Sequence, residues 1–340
     1  MESLCIYGFG SVGKYIYSKL NKSKINISIS DKKFDTEISV KNNLLINANK
    51  IPVKIKKLKI LDESNFSKKD IIFLCLKSND IFNALPILKK ISNKKTLFIF
   101  TQNDVPYYYL NTKVFNFILR NFKRNHEINA VYNFFKNKKT IHCIVNAAIK
   151  KKNYNVSKVV YEQKLFIGSK NVSINKKKKL FSKIFNPKLI SFNLTNEIEP
   201  FLWGKLIGVI GSHGLSTISN KTFIQLYKDK HYKKLLRKLF LEADKIREKL
   251  KIKSLMNIEK RMKKVAKVGS HKSSMHYDFI NKQKSEFEFS YGIMTELIKY
   301  FKIRNSIIKK LYICLQRLEN LKKSEIKAFW KKFDIKKNFI

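Results

Sequence analysis

The first apolar run of the chain, residues 4–7, breaks directly into Gly8-Phe9-Gly10-Ser11-Val12-Gly13. From about residue 14 to 20 the apolar positions fall at helix spacing, with Ile16 four residues before Leu20. A second run, residues 25–30, ends at Asp31-Lys32-Lys33. Strand, turn, helix and strand within this length predict a β-α-β unit. Residues 34–69 are polar and irregular, with a strand expected near 53–61. Residues 71–76 are near-continuously apolar, the pattern of a parallel strand buried on both faces. Lys77-Ser78-Asn79-Asp80 then reads as a loop and helix cap ahead of a helix over 81–91. Another buried strand, 96–100, ends at Thr101-Gln102-Asn103-Asp104. Further strands are predicted at 130–134, 141–147, 164–167 and 189–194, with a helix over 175–184. From about Asn196 helical periodicity takes over, at 197–219, 222–251, 285–301 and 305–321. The pattern predicts an α/β chain: an N-terminal Rossmann-type dinucleotide-binding domain over 1–192, then an all-α domain over 193–340.

Composition narrows the picture. Of 340 residues, 44% are hydrophobic and 26 are Phe, enough to fill two cores, so a disordered chain is excluded. The formal net charge of +47 points at first to nucleic acid or a membrane surface. The cations are nearly all Lys and are spread along the chain, while Asn, Ile and Phe are abundant and Gly and Pro scarce, as A/T-rich codons would give. Dispersed lysines without arginine forks give solubility and weak steering rather than a defined binding surface, so no specific nucleic-acid partner is expected. Lysine runs such as 176–179 read as solvated surface. Cys5, Cys75, Cys143 and Cys314 form no CxxC pair and no cluster with His, so no metal is expected. Cys5 and Cys75 sit in apolar runs and read as core residues. A reducing cytoplasm fits them. With no leader ahead of the first strand and no apolar run of about 18 residues, neither a signal peptide nor a membrane span is expected.

Three constellations carry chemistry. In the first, Gly8 permits a tight turn after the strand, Gly10 lets the backbone approach a pyrophosphate, and Gly13 permits close helix–strand packing. The helix N-terminus adds N–H groups and positive dipole. A GxGxxG run also arises by chance in loops; its place between a strand and a helix is what points to a dinucleotide. Asp31, at the end of the second strand, is placed to accept from an adenosine ribose, whereas Lys32 and Lys33 would neutralise a 2′-phosphate, and all three also suit an exposed loop. In the second, Lys77-Ser78 and Gln102-Asn103 follow buried strands, and in an open α/β sheet such loops share the crevice of the glycine turn. In the third, Lys205 follows Trp203-Gly204 among Leu202, Leu206, Ile207, Val209 and Ile210. A cation there either snorkels outward or faces a cleft. Ser273-Ser274-Met275-His276-Tyr277-Asp278 and Ser285-Glu286-Phe287-Glu288 follow downstream and are otherwise a helix cap and surface charges.

Together, Gly8-Phe9-Gly10-Ser11-Val12-Gly13, the Lys77 loop, Gln102-Asn103, Trp203-Gly204-Lys205, and Ser273-Ser274-Met275 with Asp278 and Glu286 resemble the ketopantoate reductase family in order and spacing. The resemblance runs along nearly the whole chain. It implies an NAD(P)H-dependent oxidoreductase that reduces a 2-oxo acid to a 2-hydroxy acid: ketopantoate to pantoate, in pantothenate biosynthesis. NADPH would be the cofactor, with NADH possible. By the same resemblance Lys205 would be the general acid and Glu286 would orient lysine and substrate. Ser274 would bind the substrate carboxylate, Asp278 would help hold the site, Asn103 would position nicotinamide and substrate, and Lys77 would touch the cofactor. Cofactor contacts would fall on Gly8, Gly10, Ser11, Val12, Gly13, Asp31, Lys32, Lys77 and Asn103. The implied partner is a small 2-oxo acid, the implied assembly a monomer or homodimer.

The departures are local. The family usually has Asn four and eight residues after its lysine, where this chain has Val209 and His213. It usually has Asn-Gly where Asn103-Asp104 stands, and commonly an Arg after the second strand, where Asp31-Lys32-Lys33 stands. These leave two alternatives: a reductase of the same family acting on another oxo acid or imine, and a nucleotide-sensing relative without catalysis.

Overall fold

Ile71–Leu74 is buried at every position, as an unbroken apolar run requires of a strand covered on both faces. It lies in an eight-stranded sheet in the computed structural model of the chain, which describes residues 2–30, 44–46, 52–54, 59–61, 66–151 and 156–339. In chain order the strands of this sheet and of a smaller one are β1 (Glu2–Tyr7), β2 (Ile25–Ser30), β3 (Leu44–Ile46), β4 (Pro52–Lys54), β5 (Lys59–Ile60), β6 (Ile71–Leu74), β7 (Leu97–Phe100), β8 (Lys139–Ile144), β9 (Ala147–Lys151), β10 (Val156–Glu162), β11 (Leu165–Gly168) and β12 (Phe192–Thr195). The large sheet runs β12-β11-β8-β7-β6-β1-β2-β5, parallel at every pairing but β8 with β11.

The chain leaves β1 towards β2 on one side and returns to β6 on the other. That reversal of strand order is where ligands bind in open α/β sheets. Register sharpens the point: Tyr7 pairs with both Ser30 and Leu74, and Leu74 with Phe100. The strands end level, so the Gly8 turn and the loops leading to Lys77 and Gln102 leave one edge together. The smaller sheet runs β4-β3-β10-β9.

The sheets and their helices form one unit, Met1–Gln102 with Ala130–Ile198; a helical unit takes Asn103–Asn129 and Glu199–Ile340. The architecture is thus a Rossmann-type α/β domain followed by a helical region. Residues 130–134, expected as a strand, lie instead inside the helix Asn125–Phe135. Ile128, Val131 and Phe135 are its buried positions, at helical spacing, which outweighs the strand-like composition of the run. The long helix expected over 222–251 divides into Phe223–Lys228 and Lys230–Lys249, because the Asp229 carboxylate accepts the N–H groups of His231 (2.9 Å) and Tyr232 (3.2 Å) and starts a new helix. Thr112–Asn121, Ile258–Val268 and Lys323–Lys332 are helices the sequence reading left unassigned.

One lysine corrects the reading of residues 176–179 as solvated. Lys177, Phe181 and Ile184 are the buried stripe of the helix Ile174–Ile184, and Lys177 is 0% exposed. Its Nζ donates to the carbonyls of Ser169 (3.1 Å) and Thr195 (2.5 Å) and to Asn196 Oδ1 (2.7 Å). Three acceptors match the three donors of an ammonium, so the buried charge is fully hydrogen-bonded. It ties the ends of β11 and β12 to that helix. No described helix is long and apolar enough to cross a membrane.

Candidate active site

The glycine turn begins where β1 stops. Gly8 takes φ +94°, a conformation that side chains other than glycine's rarely adopt, and an added Cβ would stand 2.9 Å from the Cys75 carbonyl. Its N–H donates to the Ser30 carbonyl (2.8 Å), tying the turn to the end of β2. At Gly13 an added Cβ would lie 2.1 Å from the Gly8 carbonyl oxygen, so the helix Ser11–Lys19 packs on the turn at a separation only hydrogen permits. Gly10 differs: a Cβ there meets nothing within 4 Å. The space beside Gly10 is open, and the first helical turn carries no acidic residue. The first intrahelical bond is from Lys14 N–H to the Gly10 carbonyl (3.0 Å), which leaves the N–H groups of Ser11, Val12 and Gly13 outside the helix ladder. An open, positive helix end without a repelling carboxylate fits a phosphate.

Beside the turn, the Thr101 hydroxyl donates to the Leu74 carbonyl (2.9 Å), and Gln102 Nε2 donates to the carbonyls of Leu74 (2.9 Å) and Leu76 (2.8 Å). These bonds hold the segment that leads into Lys77, the half-buried N-cap of the helix Ser78–Ile91. Gln102 therefore shapes the neighbouring loop, a role its grouping with Asn103 did not reveal. Asp31, Lys32 and Lys33 lie outside the described residues.

In the helical unit, Lys205 stands on the helix Glu199–Ser219. Between Phe201 and His213 the half-buried positions are Phe201, Gly204, Lys205, Gly208, Val209 and His213, a single stripe at i, i+3, i+4 spacing. An added Cβ at Gly204 or Gly208 meets nothing within 4 Å, so Lys205 is flanked by open, side-chain-free positions. Burial, reinforced by the Lys205 charge, pushes the His213 imidazole down to about 4. His213 is neutral at pH 7, and its ring lies 5.6 Å from that of Phe223. The Val209 side chain offers no hydrogen bond.

The back of this helix is built on glycine. Gly214 has no room for a Cβ, which would lie 2.6 Å from the Tyr291 hydroxyl. That hydroxyl accepts the Gly214 N–H (2.7 Å) and lies 2.9 Å from the carbonyls of Val209 and Ile210, to which it donates. A phenol thus enters the backbone ladder of the lysine helix. Tyr291 belongs to a π turn, Glu288–Gly292, which continues into the helix Ile293–Tyr300. The carbonyl of half-buried Glu286 accepts the N–H groups of Phe289 (3.0 Å) and Ser290 (3.2 Å), so Glu286 opens this turn. Glu288 is buried: Oε1 accepts from Lys123 Nζ and Oε2 from the Tyr312 hydroxyl, each at 2.8 Å. Burial, with Glu288 adding, raises the Tyr312 phenol well above its ordinary range. Read from sequence, Glu288 was a surface charge; the available signal was its place between Phe287 and Tyr291 on an inward-facing turn.

Of the two serines, Ser273 makes the contacts. Its Oγ accepts the His276 N–H (3.1 Å), donates to the His213 carbonyl (3.2 Å) and lies 3.1 Å from Thr217 Oγ1. Ser274 begins the helix Ser274–Ile280 and is exposed, while Asp278 on the same helix is half-buried. Asn103 Oδ1 and Ser285 Oγ are buried without a hydrogen-bond partner among the described residues. Among those residues no group of three or more His, Cys, Asp or Glu is placed to hold a metal ion.

Three histidines, His142 and His276 buried and His213 half-buried, set a pH dependence. Burial pushes His142 down to about 3 and His276 to about 4, Lys272 adding at His276 while the Thr217 carbonyl opposes, and His213 is likewise at about 4. Each lies below the ordinary 6.5, so the unfolded chain binds more protons in this window. Stability is therefore full above pH 6.5 and falls as the pH drops towards 4. Glu319, whose carboxyl is raised by burial and by Glu288, works the other way but is one group against three. The urea midpoint should hold from pH 7.5 to about 6.5 and fall steadily from there to pH 5. A flat profile would mean these imidazoles are not buried neutral.

Comparison with known proteins agrees with this layout. The family described as Ketopantoate reductase PanE/ApbA matches residues 4–106, and Ketopantoate reductase PanE/ApbA C terminal matches residues 197–319. A 2-dehydropantoate 2-reductase of Mesorhizobium japonicum is 20% identical over 299 residues, covering 86% of this chain and 90% of its own. Among solved structures, a dimeric ketopantoate reductase from Staphylococcus aureus superimposes with a TM-score of 0.73 at 17% identity, covering 93% of this chain and 98% of its own. D-mandelate dehydrogenase, solved with NADH and anilino(oxo)acetate, gives 0.75 at 16% identity, covering 94% and 98%. With its two halves matched in order by the two parts of one family, the chain belongs to the ketopantoate reductase PanE/ApbA family.

Proposed function

We propose that the chain reduces a 2-oxo acid to the 2-hydroxy acid with NADPH, and that ketopantoate is the substrate, as a step of pantothenate biosynthesis. The observation that carries this reading is Lys205, half-buried between two open glycine positions on a helix whose other face is buried. A bound nicotinamide supplies the hydride. The open turn at Gly10, with the N–H groups of Ser11, Val12 and Gly13, holds the pyrophosphate, and Lys77 adds positive charge near it. Lys32 favours NADPH through a 2′-phosphate; Asp31 would favour NADH.

The reduced carbonyl gathers negative charge on oxygen, and an ammonium beside it both stabilises that charge and donates the proton. Lys205 takes this role, with Glu286 orienting it. Ser274 binds the carboxylate of the acid and Asp278 supports that segment. Asn103 carries a buried acceptor with no partner among the described residues, which suits a donor on the nicotinamide carboxamide or the substrate. As in the dimeric S. aureus protein, a homodimer is the proposed assembly, and four free cysteines favour the cytoplasm.

A second reading has a specific observation behind it. Val209 and neutral His213 continue the stripe of Lys205 without the amide groups usual in the family, which suits an oxo acid with an apolar side chain. The deciding assay is NADPH and NADH oxidation with ketopantoate against branched and aryl 2-oxo acids. The first reading expects the highest kcat/KM for ketopantoate with NADPH. A higher value for an acid without a hydroxyl replaces it by the second, and cofactor binding without turnover on any acid removes both.

A further inference from the structure

We infer that Trp330, on the helix Lys323–Lys332, is a positioning residue that holds the substrate segment of Ser273 and Ser274 against the lysine helix. The helix of Trp330 lies beyond residues 197–319, where the C-terminal family match ends. It is nevertheless docked. Ile326 is buried, and the Trp330 indole Nε1 donates to the Thr217 carbonyl (2.9 Å) in the last turns of the helix that carries Lys205. The Trp330 ring also stacks on His276, centroids 5.0 Å apart and planes 20° from parallel.

These contacts close a circuit. Thr217 Oγ1 donates to the His213 carbonyl (2.9 Å) and lies 3.1 Å from Ser273 Oγ, which itself reaches the His213 carbonyl. Ser273 caps the N–H of His276, and His276 lies under Trp330. Trp330 therefore grips both members of a junction, the helix at Thr217 and the segment at His276. His276 is 1% exposed, and beside the Thr217 carbonyl, which bears on its imidazole, and the edge-on ring of Tyr277 (5.7 Å), the near-parallel stack on Trp330 restrains its ring. Fixing Ser273 fixes the backbone of Ser274, its neighbour and the proposed carboxylate ligand. An indole with one bond and one stack holds such a segment more rigidly than a flexible side chain would, at little loss of rotamer freedom.

The inference rests on the reading of Ser274 as a substrate ligand, and the test separates the two. Trp330→Ala, Trp330→Phe and Ser274→Ala are compared by steady-state kinetics, using the best 2-oxo acid of the panel, and by amide hydrogen exchange. Trp330→Ala should raise KM for the acid about tenfold while kcat and NADPH affinity stay within about twofold. Trp330→Phe keeps the stack, loses the indole bond and should fall between, at about threefold. Exchange should quicken at residues 273–279 in both. An unchanged KM with unchanged exchange in folded Trp330→Ala overturns the inference, as does an equal loss of kcat, KM and cofactor binding, which would mark a purely structural residue. Should Trp330→Ala fail to fold, Trp330→Phe alone decides by the same readouts. A neutral Ser274→Ala beside quickened exchange and raised KM in the Trp330 variants removes the Ser274 assignment and leaves the inference standing.

Discussion

Lys205→Ala should lower turnover by roughly two to four orders of magnitude and leave NADPH affinity unchanged. The size follows from what is removed: both the proton donor and the positive charge beside the developing alkoxide. The selectivity follows from place, since the lysine belongs to the helical unit and the glycine turn proposed to hold the pyrophosphate to the other. Folding should survive, because Lys205 is half-buried beside positions that already lack side chains. Glu286→Ala should also depress activity, mostly through substrate affinity, and the double variant should lose less than the two singles combined. Single-turnover rates and fluorescence titration of NADPH measure both quantities. A folded Lys205→Ala protein turning over at near the parental rate would remove the mechanism and leave only a nucleotide-binding fold.

Gly10→Val and Gly13→Ala should part company, although both change the same short motif. At Gly10 an added side chain enters open space, so the chain should fold, and the valine would occupy the approach proposed for the pyrophosphate. NADPH binding should drop by about a hundredfold or more, with the thermal midpoint little moved. At Gly13 even one methyl collides with the Gly8 carbonyl, a backbone atom that cannot swing aside. Gly13→Ala should cost about 4 kcal/mol or more and leave little folded protein. Circular dichroism melts and cofactor titrations on the pair test this. A stable Gly13→Ala, or a Gly10→Val that binds NADPH normally, contradicts the geometry of the turn.

Where local pattern and tertiary packing agree, the chain could be read directly. β2 lies at the predicted residues, and β1, β6 and β7 lie within two residues of theirs, because strands buried on both faces have no polar positions to blur the pattern. The glycine turn was legible because Gly8 and Gly13 each answer a local steric demand. What escaped the sequence depends on partners distant in the chain. Lys177 looks like its neighbours Lys176 and Lys178 until Thr195 and Asn196 are placed beside it. Glu288 reads as a surface charge until Lys123 and Tyr312, 165 and 24 residues away, complete it. Tyr291 gave no hint that its hydroxyl would enter another helix, although Gly214 was the clue in retrospect. The resemblance located Ser273 and Ser274 together, and only packing shows that the first is the anchor and the second is exposed.

The membership of Asn103–Asn129 in the helical unit has a bearing on how the protein is made. The helix Thr112–Asn121 buries Val114, Phe115 and Ile118, while Phe117 packs on Tyr300 (5.3 Å between rings) and Phe122 on Phe289 (6.0 Å). A ribosome moving from the amino end therefore releases this apolar helix long before its partners exist. At roughly 5–20 residues per second, about ten to forty seconds separate Phe122 from Tyr300. Once Ile198 has emerged the first unit can close around its own sheet, while the excursion still waits with its aromatic face uncovered. That makes nascent chains halted between these two points the natural clients of a holding chaperone.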